Sequence, residues 1–180
     1  MKTQFKESKQ NIKPKILFVL IMIVVLTGGL YGHSFSIGLG FDSFNYTQTY
    51  LNTTVSYMTE LTDQVELVLG TSFGILVQEQ EPTFWLPLQL GLGFIFPDIL
   101  SADGVLGVGL SPVFNWGAGL DDLNFYLGPY LQLGFRLQVH PFMRWFFDVQ
   151  QDLHIGRPEW ISTSTRVVTG INFFFDNQDE

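Results

Sequence analysis

Three residues near the C-terminal end of the chain, Asp148, Asp152 and His154, have side chains that can take part in metal or acid–base chemistry. Their even spacing places them on one face of an extended strand, because successive side chains of a strand point to opposite sides. Two carboxylates and an imidazole can bind a divalent cation. Ion pairs with Arg144 or Arg166 explain the two acids more simply, so we predict no metal site and no cofactor.

A second chemical possibility is a serine nucleophile activated by His154. Ser162 and Ser164 lie on the next predicted strand, and Glu159 is close in sequence. A hydrolase of this kind needs a serine, a histidine base and a carboxylate that orients the base. No recognisable lipase motif surrounds these residues. We therefore predict that the protein is not an enzyme, with a lipid-modifying enzyme as an alternative.

A larger set of charged residues shares one property: all of them fall on the polar faces of predicted strands. The set is Glu66, Arg136, Arg144, Asp148, Asp152 and Arg166. On the inside of a narrow barrel these charges would pair across the interior, or lumen, because an unpaired buried charge is costly. The pairs would form either a fixed polar plug or a gate whose partners exchange to admit small solutes or ions.

The elements that must position these side chains are β-strands. From Ser34 onward the hydrophobic residues recur with a period of two, and no long stretch has a helical period. Turn-forming clusters divide this pattern into strands. The predicted strands cover about residues 34–45, 51–58, 65–77, 84–96, 106–116, 125–139, 144–154 and 160–175. The sequence therefore predicts an all-β protein, an eight-stranded antiparallel up-and-down barrel.

The N-terminal residues differ in composition from the strands. Residues 1–15 contain five lysines, residues 16–26 are uninterruptedly apolar, and a stretch with three glycines, residues 27–32, follows. This order is typical of a secretory signal peptide, and the apolar run is shorter than the ~20 residues of a spanning helix. We predict a cleaved signal peptide over residues 1–32, a barrel over 33–175 and a short acidic tail over 176–180.

The part of the chain after Gly32 contains no lysine and no cysteine, and its acidic residues outnumber its four arginines. An acidic protein without lysine is unsuited to nucleic acid, which binds clustered basic residues. Without cysteine there are no disulfides and no thiolate metal sites. We therefore expect no nucleic-acid partner and a domain that its fold alone holds together.

The apolar faces of the strands can point into the barrel or out of it. Inward, they would line a pocket for an apolar ligand in a soluble exported barrel; outward, they would face lipid. The Leu, Phe, Val and Trp side chains exceed what an eight-stranded interior accepts, and the opposite faces are rich in glycine, which suits the crowded inner side of a curved sheet. The sequence favours a transmembrane barrel, with the soluble ligand-binding barrel as the alternative.

Aromatic residues gather near both ends of the predicted strands. Rings at the level of the lipid headgroups commonly form two girdles around a membrane barrel. The predicted girdle residues are Trp85, Trp116, Trp145, Trp160, Phe173 and Phe175. In this interpretation the two aromatic bands mark the two membrane interfaces.

The chain resembles the small eight-stranded outer-membrane barrels of Gram-negative-type bacteria, the OmpA, OmpX and OmpW-like group. The resemblance rests on the export signal, the eight alternating strands and the final stretch Arg166–Phe175, which ends in three phenylalanines. It implies an outer-membrane location, surrounding lipid and recognition of the last strand by the barrel-assembly machinery. It also implies a structural role or a narrow, porin-like channel for small solutes or ions, with an outer-membrane lipid-modifying enzyme as an alternative.

Overall fold

The structure is a computed structural model that describes residues 32–76, 82–99, 102–117 and 123–175. Eight strands form one closed antiparallel barrel, in which each strand pairs with its sequence neighbours and β1 pairs with β8. The strands are β1 (His33–Phe44), β2 (Gln48–Thr62), β3 (Val65–Leu76), β4 (Thr83–Ile99), β5 (Ala102–Gly117), β6 (Asn124–His140), β7 (Met143–Gly156) and β8 (Ile161–Phe175). The predicted all-β, up-and-down, eight-stranded architecture is confirmed. Within the described ranges there is no helix that could span a membrane.

The two ends of the barrel differ in their connections. At one end, the turn end, very short connections join β2 to β3, β4 to β5 and β6 to β7. The other four connections lie at the opposite end, the loop end. His33 and Phe175 pair with each other at the turn end, because an even number of strands returns the chain to its starting side. The predicted signal segment up to Tyr31 and the predicted tail over 176–180 lie outside the described residues.

Several strands are longer than the sequence predicted. β2 covers Gln48–Thr62 rather than 51–58, and the interval between the predicted strands 84–96 and 106–116 is mostly strand, since β4 reaches Ile99 and β5 starts at Ala102. The β4–β5 register shifts just before the turn between them, after Phe96. A bulge accommodates Pro97, whose nitrogen carries no hydrogen for a regular ladder, and the pairing therefore continues past it.

The alternation of side chains places apolar groups outside and mostly polar groups inside. Leu39, Leu51 and Leu133 are 65%, 60% and 60% exposed, whereas Asp152 is 1% exposed. A soluble barrel that binds an apolar ligand has the inverse arrangement. The described strands therefore carry an apolar band on the outside of the barrel, and the lumen is where the polar chemistry lies.

Inward glycines let large side chains cross the narrow lumen. Gly91 on β4 pairs with Gly109 on β5, and Tyr130 lies over both, so that a Cβ added at Gly109 would be 2.7 Å from the tyrosine ring. Glu66 lies over Gly93 in the same way, with its Cγ 2.8 Å from the position of an added Cβ. Carbon atoms do not approach so closely without repacking. The glycines therefore make the space in which Tyr130 and Glu66 are held.

Candidate functional site in the barrel lumen

The lumen is closed at the loop end by a cluster of buried, mostly aromatic side chains. This loop-end cluster consists of Phe44, Tyr50, Leu76, Trp85, Val113 and Tyr126. The rings of Tyr50 and Trp85 stack with their centroids 5.3 Å apart, and Trp85 Nε1 donates a hydrogen bond to Asp42 Oδ2 at 3.0 Å. The cluster therefore separates the polar interior from the loops, and Trp85 attaches it to that interior.

The sequence placed Trp85 in a lipid-facing girdle, and this prediction was wrong. Trp85 is 0% exposed inside the barrel, whereas its neighbour Phe84 points outward and stacks against Trp116, with ring centroids 5.6 Å apart. Adjacent residues of a strand point to opposite faces, so only one of the two rings can face outward. The other predicted girdle residues are at least partly exposed: Trp116, Trp145, Trp160, Phe173 and Phe175.

Beneath the loop-end cluster, Arg166 forms a buried ion pair with Asp42. Arg166 Nε is 3.1 Å from Asp42 Oδ2, and both side chains are almost fully buried. The two residues lie opposite each other in the β1–β8 pairing that closes the barrel. Asp42 was not among the predicted lumen charges. It shares the inward face of β1 with Gly38 and Gly40, and this alternation is the signal that could have identified it.

Nearer the turn end, Arg136 on β6 and Glu66 on β3 form a second buried ion pair. Arg136 donates through Nη1 to Glu66 Oε2 at 2.8 Å and through Nη2 to Glu66 Oε1. Strands β3 and β6 are not neighbours, so this pair spans the lumen. Two parallel charge-assisted hydrogen bonds fix the orientation of both side chains. The ion pair therefore links opposite walls of the barrel in a fixed geometry on the turn-end side of the lumen.

The structure does not bring together the other predicted lumen charges, which are Arg144, Asp148 and Asp152. Arg144 lies half-buried at the turn-end mouth, with its Nη1 3.7 Å from Asp103 Oδ2. Asp152 accepts a hydrogen bond from Gln150 Nε2 at 2.8 Å. Asp148 Oδ1 is buried and has no hydrogen-bond partner among the described residues. The set therefore divides between the interior and the mouth instead of forming one network.

His154, Ser164 and Asp152 meet inside the barrel, but their order is not that of a catalytic triad. His154 Nε2 and Ser164 Oγ are 2.9 Å apart, and Ser164 Oγ donates to Asp152 Oδ2 at 3.5 Å. A triad has its carboxylate on the other imidazole nitrogen. In the described part of the chain His154 Nδ1 has no partner, and Glu159 instead accepts a hydrogen bond from Ser162. The three enclosed side chains are at most 1% exposed, so no substrate reaches them.

A small polar cavity lies between the two buried ion pairs. Its volume is about 40 Å³, and Thr54, Gln132, Asp148 and Arg166 are among the residues that line it. Both Nη atoms of Arg166 lack a hydrogen-bond partner within the described residues. One water molecule needs about 10–15 Å³ of such volume, so a few waters fit and would satisfy these groups. The described ranges contain no group of three or more His, Cys, Asp or Glu that could hold a metal ion.

Solved structures with a similar fold include bacterial outer-membrane proteins. Neisserial surface protein A is 10% identical, with a TM-score of 0.67 over 81% of this chain and 97% of its own. A major outer membrane protein from Thermus thermophilus is 11% identical, with a TM-score of 0.61 over 79% of this chain and 99% of its own. The outer membrane protein OprG from Pseudomonas aeruginosa is 12% identical, with a TM-score of 0.53 over 81% of this chain and 96% of its own. No protein-family model and no curated protein sequence matches the chain.

These likenesses define the class of fold: the chain is a small eight-stranded barrel of the outer-membrane type. The resemblance to that group of barrels, which the alternating strands implied, is confirmed at the level of the fold. Identities this low carry no functional role from one protein to another. The role has to be argued from the lumen and the outer face of this barrel.

Proposed function

We propose that the protein is an integral outer-membrane barrel with a sealed lumen and a structural, non-enzymatic role. The observation that carries this proposal is the filled lumen: the loop-end cluster and the two buried ion pairs leave a cavity of about 40 Å³. A solute path requires continuous space, and eight strands enclose an interior that side chains can fill completely. In this state the barrel does not conduct.

The outer face supports the membrane location. The outward positions of β6, β7 and β8 carry no Asp, Glu, Lys or Arg, whereas the inward positions of the same strands carry Arg136, Asp152 and Arg166. A charged side chain at the middle of the bilayer would cost about 2–4 kcal/mol. Lipid is therefore the surrounding that this distribution of charge fits.

The orientation follows from the connections of the strands. Outer-membrane barrels have short turns on the periplasmic side and longer loops outside. We accordingly place the turn end, with His33 and Phe175, in the periplasm, where export after removal of residues 1–32 would leave it. The alternating last strand, ending at Phe175, is the proposed contact with the barrel-assembly machinery, and the acidic residues 176–180 would follow it.

A narrow, gated cation path is the second candidate, and the balance of charge in the lumen favours it over an anion path. Away from the turn-end mouth, four carboxylates and two guanidinium groups of the described residues face the interior: Asp42, Glu66, Asp148, Asp152, Arg136 and Arg166. If the ion pairs exchanged partners, the excess of acid would attract cations and repel anions. This candidate requires movement of the loop-end cluster as well as of the ion pairs.

Membrane fractionation with gel mobility tests the proposed location. We expect the protein in the membrane fraction, extracted only by detergent, and a band in SDS gels whose mobility changes when the sample is boiled, because the closed ladder of β1–β8 resists SDS until heated. Recovery in the soluble fraction without detergent would contradict the membrane proposal.

Conductance of purified protein in planar lipid bilayers separates the two candidates. The sealed barrel gives no discrete current steps under moderate voltage. Small, cation-selective current steps from the unaltered protein would contradict the sealed barrel and support the gated cation path.

A further inference from the structure

His154 lies at the boundary between the loop-end cluster and the polar part of the lumen. Its side chain is 0% exposed. The imidazole packs against the rings of three cluster residues, Phe44, Trp85 and Tyr126, with centroids 6.0, 5.6 and 6.1 Å away. Any change in the charge or hydration of this imidazole therefore acts directly on the packing that closes the lumen.

The hydrogen bonds of His154 locate the proton on its ring. Ser164 Oγ donates to Asp152 Oδ2, so it accepts from His154 Nε2, which is 2.9 Å away. The proton of the neutral imidazole therefore lies on Nε2. Within the described residues, Nδ1 has no hydrogen-bond partner. The closed cluster thus accommodates one proton on His154 and offers no acceptor for a second.

The groups around His154 nevertheless attract a positive charge. The titratable and charged groups in the loop-end cluster and directly below it come from five strands: Asp42 on β1, Tyr50 on β2, Tyr126 on β6, Asp152 on β7 and Arg166 on β8. Two carboxylates against one guanidinium leave this region with a net negative charge, which favours an imidazolium. In the closed barrel, however, the second N–H would be buried without an acceptor. Charge and packing therefore oppose each other at this one residue.

We propose that proton uptake by His154 opens the loop-end cluster, so that the barrel becomes an acid-gated cation path. The inference rests on the proposed function, because it requires a membrane barrel whose loop end faces the outside medium. Once the rings of the cluster separate, water satisfies both nitrogens of the imidazole. A hydrated histidine takes up its second proton at about pH 6.5, whereas the closed state holds only one proton. Each pH unit below that value therefore favours the open state about tenfold, and near neutral pH the barrel stays sealed.

Current recordings in planar bilayers at pH 7.5, 5.5 and 4.5 test the proposal. We expect the unaltered barrel to give no more than rare current steps at pH 7.5, and the frequency of steps to rise about tenfold between pH 5.5 and 4.5. In His154→Gln the amide keeps a donor for Ser164 but takes up no proton in this range, so steps should stay rare at all three values. If His154→Gln does not fold, His154→Phe takes its place, because a phenyl ring suits the aromatic surroundings.

The matched control is His140→Gln, which exchanges an exposed histidine at the turn end and should keep the full pH response. An equal response in the His154 variants would overturn the proposal, because other groups would then carry it. An unaltered barrel without steps down to pH 4.5, or with steps equally frequent at every pH, would overturn it as well, provided that the heat-dependent gel band is intact. A barrel that fails to insert or lacks that band would refute the membrane proposal instead.

Discussion

At the scale of single residues, the arginines of the lumen lie in different surroundings. Arg136 is 6% exposed and shares two hydrogen bonds with Glu66, whereas Arg144 is partly exposed at the mouth and is 3.7 Å from Asp103. Removing one member of a buried pair leaves an uncompensated charge, but an exposed pair is already screened by water. The same change at the two positions should therefore have unequal effects on stability.

We expect Arg136→Met to lower the free energy of unfolding by about 3–5 kcal/mol, because Glu66 is left buried without its partner. Arg144→Met, the matched control, should cost below about 1 kcal/mol. Urea unfolding in lipid vesicles, followed by tryptophan fluorescence, measures both. The double variant Glu66→Gln with Arg136→Met should recover much of the loss. Equal losses of unfolding free energy in Arg136→Met and Arg144→Met would mean that the buried Arg136–Glu66 pair does not stabilise the barrel more than the exposed pair.

The tryptophan at position 85 shows what residue-level reasoning can and cannot recover. Phe84 and Trp85 are adjacent, so the alternation of β4 alone assigns one ring to lipid and the other to the lumen. The partners of the buried charges are different, because Asp42 meets Arg166 only through closure of the barrel and Glu66 meets Arg136 only across it. The pairing and stagger of the strands decide those contacts, and neither can be predicted from the sequence of a single strand.

At the scale of elements, the number of strands and the direction of their side chains follow from the sequence. Every second residue of a strand faces outward and is mostly apolar, so the hydrophobic residues recur with a regular period of two. The ends of the strands do not follow as readily. β4 and β5 extend beyond Phe96 and Gly104 because a bulge absorbs Pro97, although a proline in a sequence usually marks a turn. Local composition therefore underestimated the length of the ladder.

The β1–β8 pairing that closes the barrel depends on close backbone approach at Gly170, which pairs with Gly38. A Cβ at Gly170 would be 2.5 Å from Gly38 Cα and 2.9 Å from the Ile37 carbonyl carbon, both backbone atoms. Gly170→Ala should therefore lower the free energy of unfolding by about 1–3 kcal/mol.

The control for the closing pair is Gly107→Ala. Its Cβ would lie 3.0 Å from Gln132 Cβ and 3.2 Å from Oε1, so the amide can turn away and the β-carbon has to shift by only a few tenths of an ångström, without the backbone contact that Gly170 meets. Because alanine also restricts the unfolded chain, the net change should stay within about 1 kcal/mol. The urea concentration at half-unfolding would be compared in the two variants. A larger loss at Gly107 than at Gly170 would contradict the role of the β1–β8 backbone contact.

At the scale of the whole molecule, the lumen is asymmetric: aromatic rings close the loop end, and polar groups with a small cavity occupy the rest. Trp85 joins the two regions through its hydrogen bond to Asp42. Removing that indole should open a gap in the loop-end cluster directly above the Asp42–Arg166 pair.

We expect Trp85→Ala to give small, cation-selective current steps in planar bilayers that the unaltered barrel lacks, because the gap opens onto an acidic lumen. Trp116→Ala removes the same side chain from the outer face and should remain silent. Silence of both variants, with heat-dependent gel bands intact, would show that the buried ion pairs seal the lumen without the cluster.

The positions of the basic residues also determine which bonds trypsin can cleave in the folded barrel. After Lys15 the chain has no lysine, and its four arginines are Arg136, Arg144, Arg157 and Arg166. Three of these arginines belong to the hydrogen-bonded strands. Arg157 lies in the exposed connection before β8, but Pro158 follows it, and trypsin does not cleave a bond between arginine and proline. Trypsin added to cells or to solubilised protein should therefore leave residues 33–175 in one piece, visible as an undigested band, until heating separates the strands.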